Sequence, residues 1–126
     1  MSDPGEREHR ASICDTLIFE RTLVGSLFGS DMCACPVWDM LLDLYRARQQ
    51  DKPLYAWPVT VAAQVPTSTA YRKLEMMERH DLITSLPPQK DRRQNRIELS
   101  NLSMNQMDRL MDQMWQRCSK VPPSIL

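Results

Sequence analysis

Residues Pro58–Ser100, PVTVAAQVPTSTAYRKLEMMERHDLITSLPPQKDRRQNRIELS, decide how the rest of the chain is organised. Val59 to Gln64 has room for about two helical turns, with Val61, Ala62 and Val65 small enough to pack under a neighbour. Pro66 restricts its own φ, and Thr67, Ser68 and Thr69 are hydroxyl residues of the kind found where helices begin. A longer helix follows, with Ala70, Leu74 and Met77 on its inward face and Ser68, Tyr71, Arg72, Glu75 and Arg79 on the opposite side. His80-Asp81 ends it. Leu82–Leu86 and Gln94–Ser100 then read as two strands around the loop Pro87–Arg93, with Ile97 and Leu99 alternating with Arg96 and Glu98. The order is helix, turn, helix, β-hairpin.

Outward from this stretch the pattern is helical. Leu54–Trp57 is a minimal strand able to pair with the later hairpin, and Pro58 closes it. Pro36 suits the first turn of a helix in which Trp38, Leu41, Leu42 and Tyr45 recur on one face, widened by Met40 and Leu44. Such breadth predicts a helix in the middle of the domain. Ile13, Leu17, Val24 and Leu27 or Phe28 predict a helix over residues 12–28, with Ser12 as its N-cap and residues 1–11 as a flexible leader. Beyond the hairpin, Met104, Met107, Met111, Met114 and Cys118 are spaced 3, 4, 3 and 4 residues apart, a heptad-like seam over residues 101–119. Residues 12–126 thus form one domain that is mainly α with a small β-hairpin. Its core covers about 36–100, flanked by one helix on each side.

No apolar run approaches the roughly 20 residues that cross a bilayer, and MSDPGEREHR lacks the apolar centre of a signal peptide. A soluble cytoplasmic protein is expected, with Cys14, Cys33, Cys35 and Cys118 as free thiols. The 16 basic and 16 acidic residues cancel, but unevenly along the chain. Residues 72–96 hold seven basic side chains (Arg72, Lys73, Arg79, Lys90, Arg92, Arg93, Arg96) against four acidic ones (Glu75, Glu78, Asp81, Asp91), a local +3. Positive charge is concentrated where the helix and hairpin lie, the electrostatic footprint of a nucleic-acid partner.

Nothing in the sequence assembles a catalytic site, so no enzyme, cofactor or metal is expected. His9 and His80 stand alone, Gly5, Gly25 and Gly29 are scattered, and Cys33-x-Cys35 lacks the spacing and second ligand pair of a zinc site. The helix and hairpin suit double-stranded DNA. Thr67, Ser68 and Thr69 present hydroxyls and backbone N–H groups to phosphates and base edges, and Arg72, one turn on, can fork to guanine O6 and N7. Tyr71 is placed to meet sugar, phosphate or a thymine methyl. Lys90, Arg92 and Arg93 lie at the hairpin tip, where one arginine can enter a minor groove while its neighbours hold phosphates.

These residues resemble the winged helix–turn–helix domain of the MarR family of bacterial transcription regulators. The likeness is carried by WDMLLDLY at 38–45, VPTSTAYRKLEMMERHDLI at 65–83, DRR at 91–93 and IELS at 97–100. Asp81 stands where the family has a glycine, and Met77-Glu78 is nearer than Leu74-Glu75 to the family's usual hydrophobic–glutamate pair. The resemblance implies a wing in which Arg93 reaches the minor groove and Asp91 stabilises the wing. It implies a homodimer acting as a repressor on a pseudo-palindromic operator, with the terminal helices as the dimerisation layer. Leu17, Val24, Met104, Met107, Met111 and Met114 are the dimerisation candidates. Many members of the family bind a small aromatic effector, for which Trp38, Tyr45 and Trp57 are candidate contacts with ordinary core packing as the alternative. Some sense oxidants through a cysteine near the first helix, where Cys14 stands, a role that needs exposure and a lowered pKa. A protein-interaction module built on the same fold is the alternative, supported by the neutral net charge and by Glu75 and Glu78 on the second helix.

Overall fold

The computed structural model describes residues 4–86 and 90–120. Six α-helices occur among them: α1 (Pro4–Phe28), α2 (Ser30–Cys33), α3 (Pro36–Gln49), α4 (Ala56–Ala62), α5 (Thr67–Arg79) and α6 (Asn101–Ser119). Three strands, β1 (Leu54–Tyr55), β2 (Ile83–Ser85) and β3 (Arg96–Leu99), form an antiparallel sheet in the order β1-β3-β2. The protein is therefore mainly helical with one small sheet. The minimal strand before the first short helix does pair with the hairpin, Leu54 opposite Ile97 and Tyr55 opposite Arg96. In the hairpin Ile83 faces Leu99 and Ser85 faces Ile97, which puts Ile83, Ile97 and Leu99 in the core.

α3 runs through the centre. Met40, Leu42, Leu44 and Tyr45 are buried on several of its faces, as its broad apolar circumference predicts. Around it, Cys14 of α1, Val59 of α4, Ala70, Leu74 and Met77 of α5, and Met107 and Met111 of α6 complete one core cluster.

Two elements start earlier than the sequence reading places them. Helix α1 begins at Pro4, not near Ser12, so residues 4–11 are ordered helix and only 1–3 of the expected leader lie outside the described residues. Tertiary contacts extend it. Arg10 is buried and bonds Asp112 through Nε and Nη2, each at 2.9 Å, with Asp108 at 3.7 Å, while His9 stacks on Trp115 at 3.9 Å between ring centroids. Local pattern alone gives no hint of partners a hundred residues away. Helix α4 begins at Ala56, with Pro58 inside its first turn. The first four N–H groups of a helix have no intrahelical acceptor, so a proline there removes nothing.

The ends of α3 and α5 share one device. Asp51 and Asp81 take positive φ, 53° and 58°, just beyond the helix ends. At α5 the Leu82 N–H donates to the Met77 carbonyl (2.9 Å) and Asp81 N–H to Glu78 (3.1 Å); at α3 Lys52 donates to Ala47 (2.9 Å) and Asp51 to Arg48 (3.2 Å). This is the Schellman arrangement, in which glycine is the usual left-handed residue and a short polar side chain is tolerated. Asp81 therefore keeps the turn that glycine would make, and Leu82-Ile83 leave it in the direction of the sheet.

Candidate nucleic-acid interface

Helix α5 stands at the surface beside the β2–β3 hairpin. At about 100° per residue, Ser68, Arg72, Glu75 and Arg79 fall within roughly 60° of its circumference, and all four are exposed, while Ala70, Leu74 and Met77 are buried. Pro66 occupies the N-cap position and no side chain caps the helix, leaving Thr67 and Ser68 exposed at its first turn. Thr69 is half-buried and accepts from Arg72 Nη2 at 3.3 Å. The turn before α5 is fixed from behind: Gln64, at φ 58°, donates through Nε2 to Asp39 Oδ2 (3.4 Å), and Asp39 is held by Arg21 Nε of α1 at 2.7 Å. Gly25 sits against that turn, where an added Cβ would meet Gln64 Oε1 at 2.5 Å. Thus the pose of α5 is tied to α1 and α3 through Arg21, Asp39 and Gln64.

Tyr71 is not on the outward face. It is only 6% exposed, on the flank of α5 that turns toward the hairpin. Its hydroxyl has no hydrogen-bond partner among the described residues, and burial raises its pKa above the usual phenol value. The Arg92 guanidinium lies 4.0 Å above the Tyr71 ring, and Arg92 Nη1 is 3.7 Å from Glu75 Oε1. The sequence reading that sets Tyr71 on the outward face is therefore corrected: helical spacing puts residue 71 at the edge of the outward stripe, and the hairpin covers that edge. A cation–π contact at an exposed site contributes about 0.5–1 kcal/mol and an exposed ion pair less than about 1 kcal/mol, so Arg92 is held lightly.

Lys90, Arg92 and Arg93 are all exposed at the end of the hairpin, and Pro87–Gln89 of the same loop lie outside the described residues. Residues Arg92–Gln94 form a 3-10 turn whose N-cap is Asp91. The Asp91 carboxylate accepts from the Arg93 backbone N–H at 3.0 Å and from Arg93 Nε and Nη2 at 3.1 and 2.8 Å. Those side-chain bonds first, and the backbone bond next, hold the Asp91 carboxyl below its ordinary pKa. Asp91 is thus placed to brace the hairpin tip. Tyr55, Trp57 and Pro58 line a shallow groove of about 630 Å³ with Asp91, Arg93 and Gln94.

The remaining candidates separate. Trp38, Tyr45 and Trp57 do not converge on one cavity: Tyr45 is fully buried with its hydroxyl donating to Asp108 Oδ1 at 2.6 Å, Trp38 is half-buried against the core, and Trp57 lines the groove beside Arg93. Cys14 is fully buried and its thiol donates to the Leu42 carbonyl at 3.5 Å. Desolvation pushes its pKa up to about 12, and a sensing thiol needs the reverse, exposure and a lowered pKa. Met107 and Met111 are buried in the chain's own core, and Leu17 and Met104 pack against it, so those four offer little to a second copy. Val24 is half-buried and Met114 partly exposed. A periodic apolar seam identifies a face that is covered but not what covers it. The largest group of exposed apolar side chains is on α1 and α2, namely Phe19, Leu23, Leu27, Phe28 and Met32, with Val61 on α4 and Leu102 and Met114 on α6 also exposed. No sequence signal separates these from Leu17 or Val24.

Among the described residues no group of His, Cys, Asp or Glu is placed to hold a metal ion, and no helix is long and apolar enough to cross a membrane. Comparison of the chain with protein-family models, with curated proteins and with solved structures finds no match.

Proposed function

We propose that the protein is a sequence-specific DNA-binding transcription regulator of winged helix–turn–helix type, acting as a homodimer on a two-fold-related operator. The observation that carries it is the outward stripe of α5, Ser68, Arg72, Glu75 and Arg79, beside a hairpin tip bearing Lys90, Arg92 and Arg93. A helix about 10–12 Å across fits the major groove of B-DNA, and the sheet sets the hairpin beside it. In this reading α5 is the recognition helix, Arg72 reads guanine, and Thr67 and Ser68 hold phosphate. Arg93, stationed by Asp91, enters the neighbouring minor groove. The MarR resemblance of these motifs supports the same assignment and makes repression the expected sign.

The same reading places the dimer contact on α1. The buried Met107 and Met111 are replaced in that role by Phe19, Leu23, Leu27 and Phe28, which together leave several hundred Å² of apolar surface uncovered on one helix. Two copies meeting there would set two α5 helices for half-sites one or more helical turns apart.

The test is retention of fragments of genomic DNA at two salt concentrations, with the bound fragments sequenced. Specific fragments should be retained, and their affinity should fall steeply as salt rises. Arg72→Ala should relax base preference at one position by about tenfold or more, and Arg93→Ala should weaken binding with less change in preference. Failure of every fragment to bind at low salt overturns the reading. It would favour instead a protein-interaction module using the exposed Tyr55–Trp57 groove.

A further inference from the structure

The centre of the outward stripe of α5 carries a carboxylate, Glu75, between Arg72 and Arg79. On a surface meant for phosphates an acidic side chain is a liability unless its charge is balanced and its oxygens have a donor to meet. The balance is present. Arg92 reaches from the hairpin to Glu75 at 3.7 Å, and its guanidinium rests on the Tyr71 ring at 4.0 Å. A carboxylate has about four lone-pair sites and no proton to give at neutral pH, so one ion pair leaves it an acceptor and nothing else.

In the major groove that acceptor has one well-matched partner. Cytosine presents the N4 amino group, whereas adenine sets the N7 acceptor beside its N6 donor and repels a second negative oxygen. Glu75 lies three residues beyond Arg72, about 4.5 Å along the helix axis at 1.5 Å per residue, comparable to one base-pair step of about 3.4 Å. We propose that Glu75 is a specificity-determining residue that selects cytosine in the base pair next to the one read by Arg72. Arg92 and Tyr71 act as positioning residues that hold its carboxylate. This rests on the DNA-binding reading above and adds a base preference to it. It also gives Tyr71 a role as the shelf under Arg92.

The experiment is selection of bound duplexes from a randomised library with the full chain and with Glu75→Gln, Glu75→Ala, Arg92→Ala, Arg92→Lys, Tyr71→Phe and Tyr71→Ala, each checked for folding by circular dichroism. The wild type should enrich cytosine at one position per half-site. Glu75→Gln should switch that position alone to adenine, since an amide donates and accepts against N7 and N6. Glu75→Ala should lose the preference there, a change of about tenfold, with the other positions kept. Arg92→Ala and Tyr71→Ala should blur the cytosine preference, while Arg92→Lys and Tyr71→Phe, which keep the cation and the ring, should retain it. An unchanged profile in Glu75→Gln overturns the assignment. So does uniformly tighter binding to every sequence, which would make Glu75 a repulsive charge only. A folded wild type that enriches nothing overturns the DNA-binding reading itself, and this one with it.

Discussion

The two halves of α1, the first rich in charged residues and the second in apolar ones, meet the opposite of the expected fates. The first half is covered by its own chain. Arg10 ties it to Asp112 and Asp108, His9 stacks on Trp115, and Ile13 and Cys14 enter the core. The second half is fastened on one side only, by Arg21 to Asp39 of α3, and leaves Phe19, Leu23, Leu27 and Phe28 in the open. One half is structure and the other is available surface. The open half is also linked to the turn before α5, through the Arg21–Asp39–Gln64 chain.

The largest contrast is expected from truncating one apolar side chain in each region. Met111 is fully buried among α1, α3 and the rest of the core, so Met111→Ala should cost roughly 2–5 kcal/mol, read as a fall in the urea midpoint. Leu23→Ala should cost less than about 1 kcal/mol at high dilution, where a partner copy is not bound. It should instead weaken self-association in sedimentation equilibrium. Equal losses of stability from the two changes would break the distinction between the halves.

A smaller effect is expected at the ion cluster that fastens the covered half. Arg10 is buried but Asp112 and Asp108 are partly solvated, so Arg10→Met should cost about 1–2 kcal/mol at neutral pH, less than breaking a fully buried pair. Its pH dependence has a definite sign. The Arg10 hydrogen bond holds the Asp112 carboxyl below its ordinary value of 3.8, so its contribution is complete above that value. It is lost as pH falls through the lower, folded-state pKa. The stability gap between wild type and Arg10→Met should therefore be full at about pH 6 and close toward about pH 2. Asp43, whose pKa burial raises, works in the opposite sense, but it is present in both proteins and cancels in the difference. A gap that widens on acidification would contradict the pairing.

How far the sequence reveals this structure depends on whether the deciding contact is local. The helix–turn–helix–hairpin order of Pro58–Ser100, the bounds of α6 and the pairing of Leu54 with the hairpin follow from periodicity and turn residues, and the structure has them. The ordered start of α1 does not follow, because its causes, Asp112 and Trp115, sit at the other end of the chain. Nor does the fate of the methionine seam, since the spacing of Met107 and Met111 is the same whether α1 or a second copy covers them. In the candidate site, the exposure of Arg72 and the bracing of Arg93 by Asp91 were legible, the first from helical phase and the second from the motif's family resemblance. Glu75 is on the outward face, as helical phase places it, but Tyr71 is not: only the three-dimensional course of the hairpin brings Arg92 over the Tyr71 ring and beside the Glu75 carboxylate.

The last expected difference changes no stability and reports on the same division by rate. With an aromatic disulfide reagent at about pH 8, Cys35 and Cys118 are exposed and should react first. Cys14 is enclosed in the covered half of α1, its thiol bonded to Leu42 of α3 and its pKa pushed up to about 12, so it should react only when that half of α1 lifts from the core. Its rate is then a local measure of that opening. Met111→Ala should accelerate Cys14 strongly, because it removes packing from the cluster that encloses the thiol. Leu23→Ala, two and a half turns further along the same helix, should leave that rate unchanged even where it dissolves a dimer. If Leu23→Ala accelerates Cys14 as much as Met111→Ala does, α1 opens as one unit, and the open half contributes to the fold rather than only to an interface.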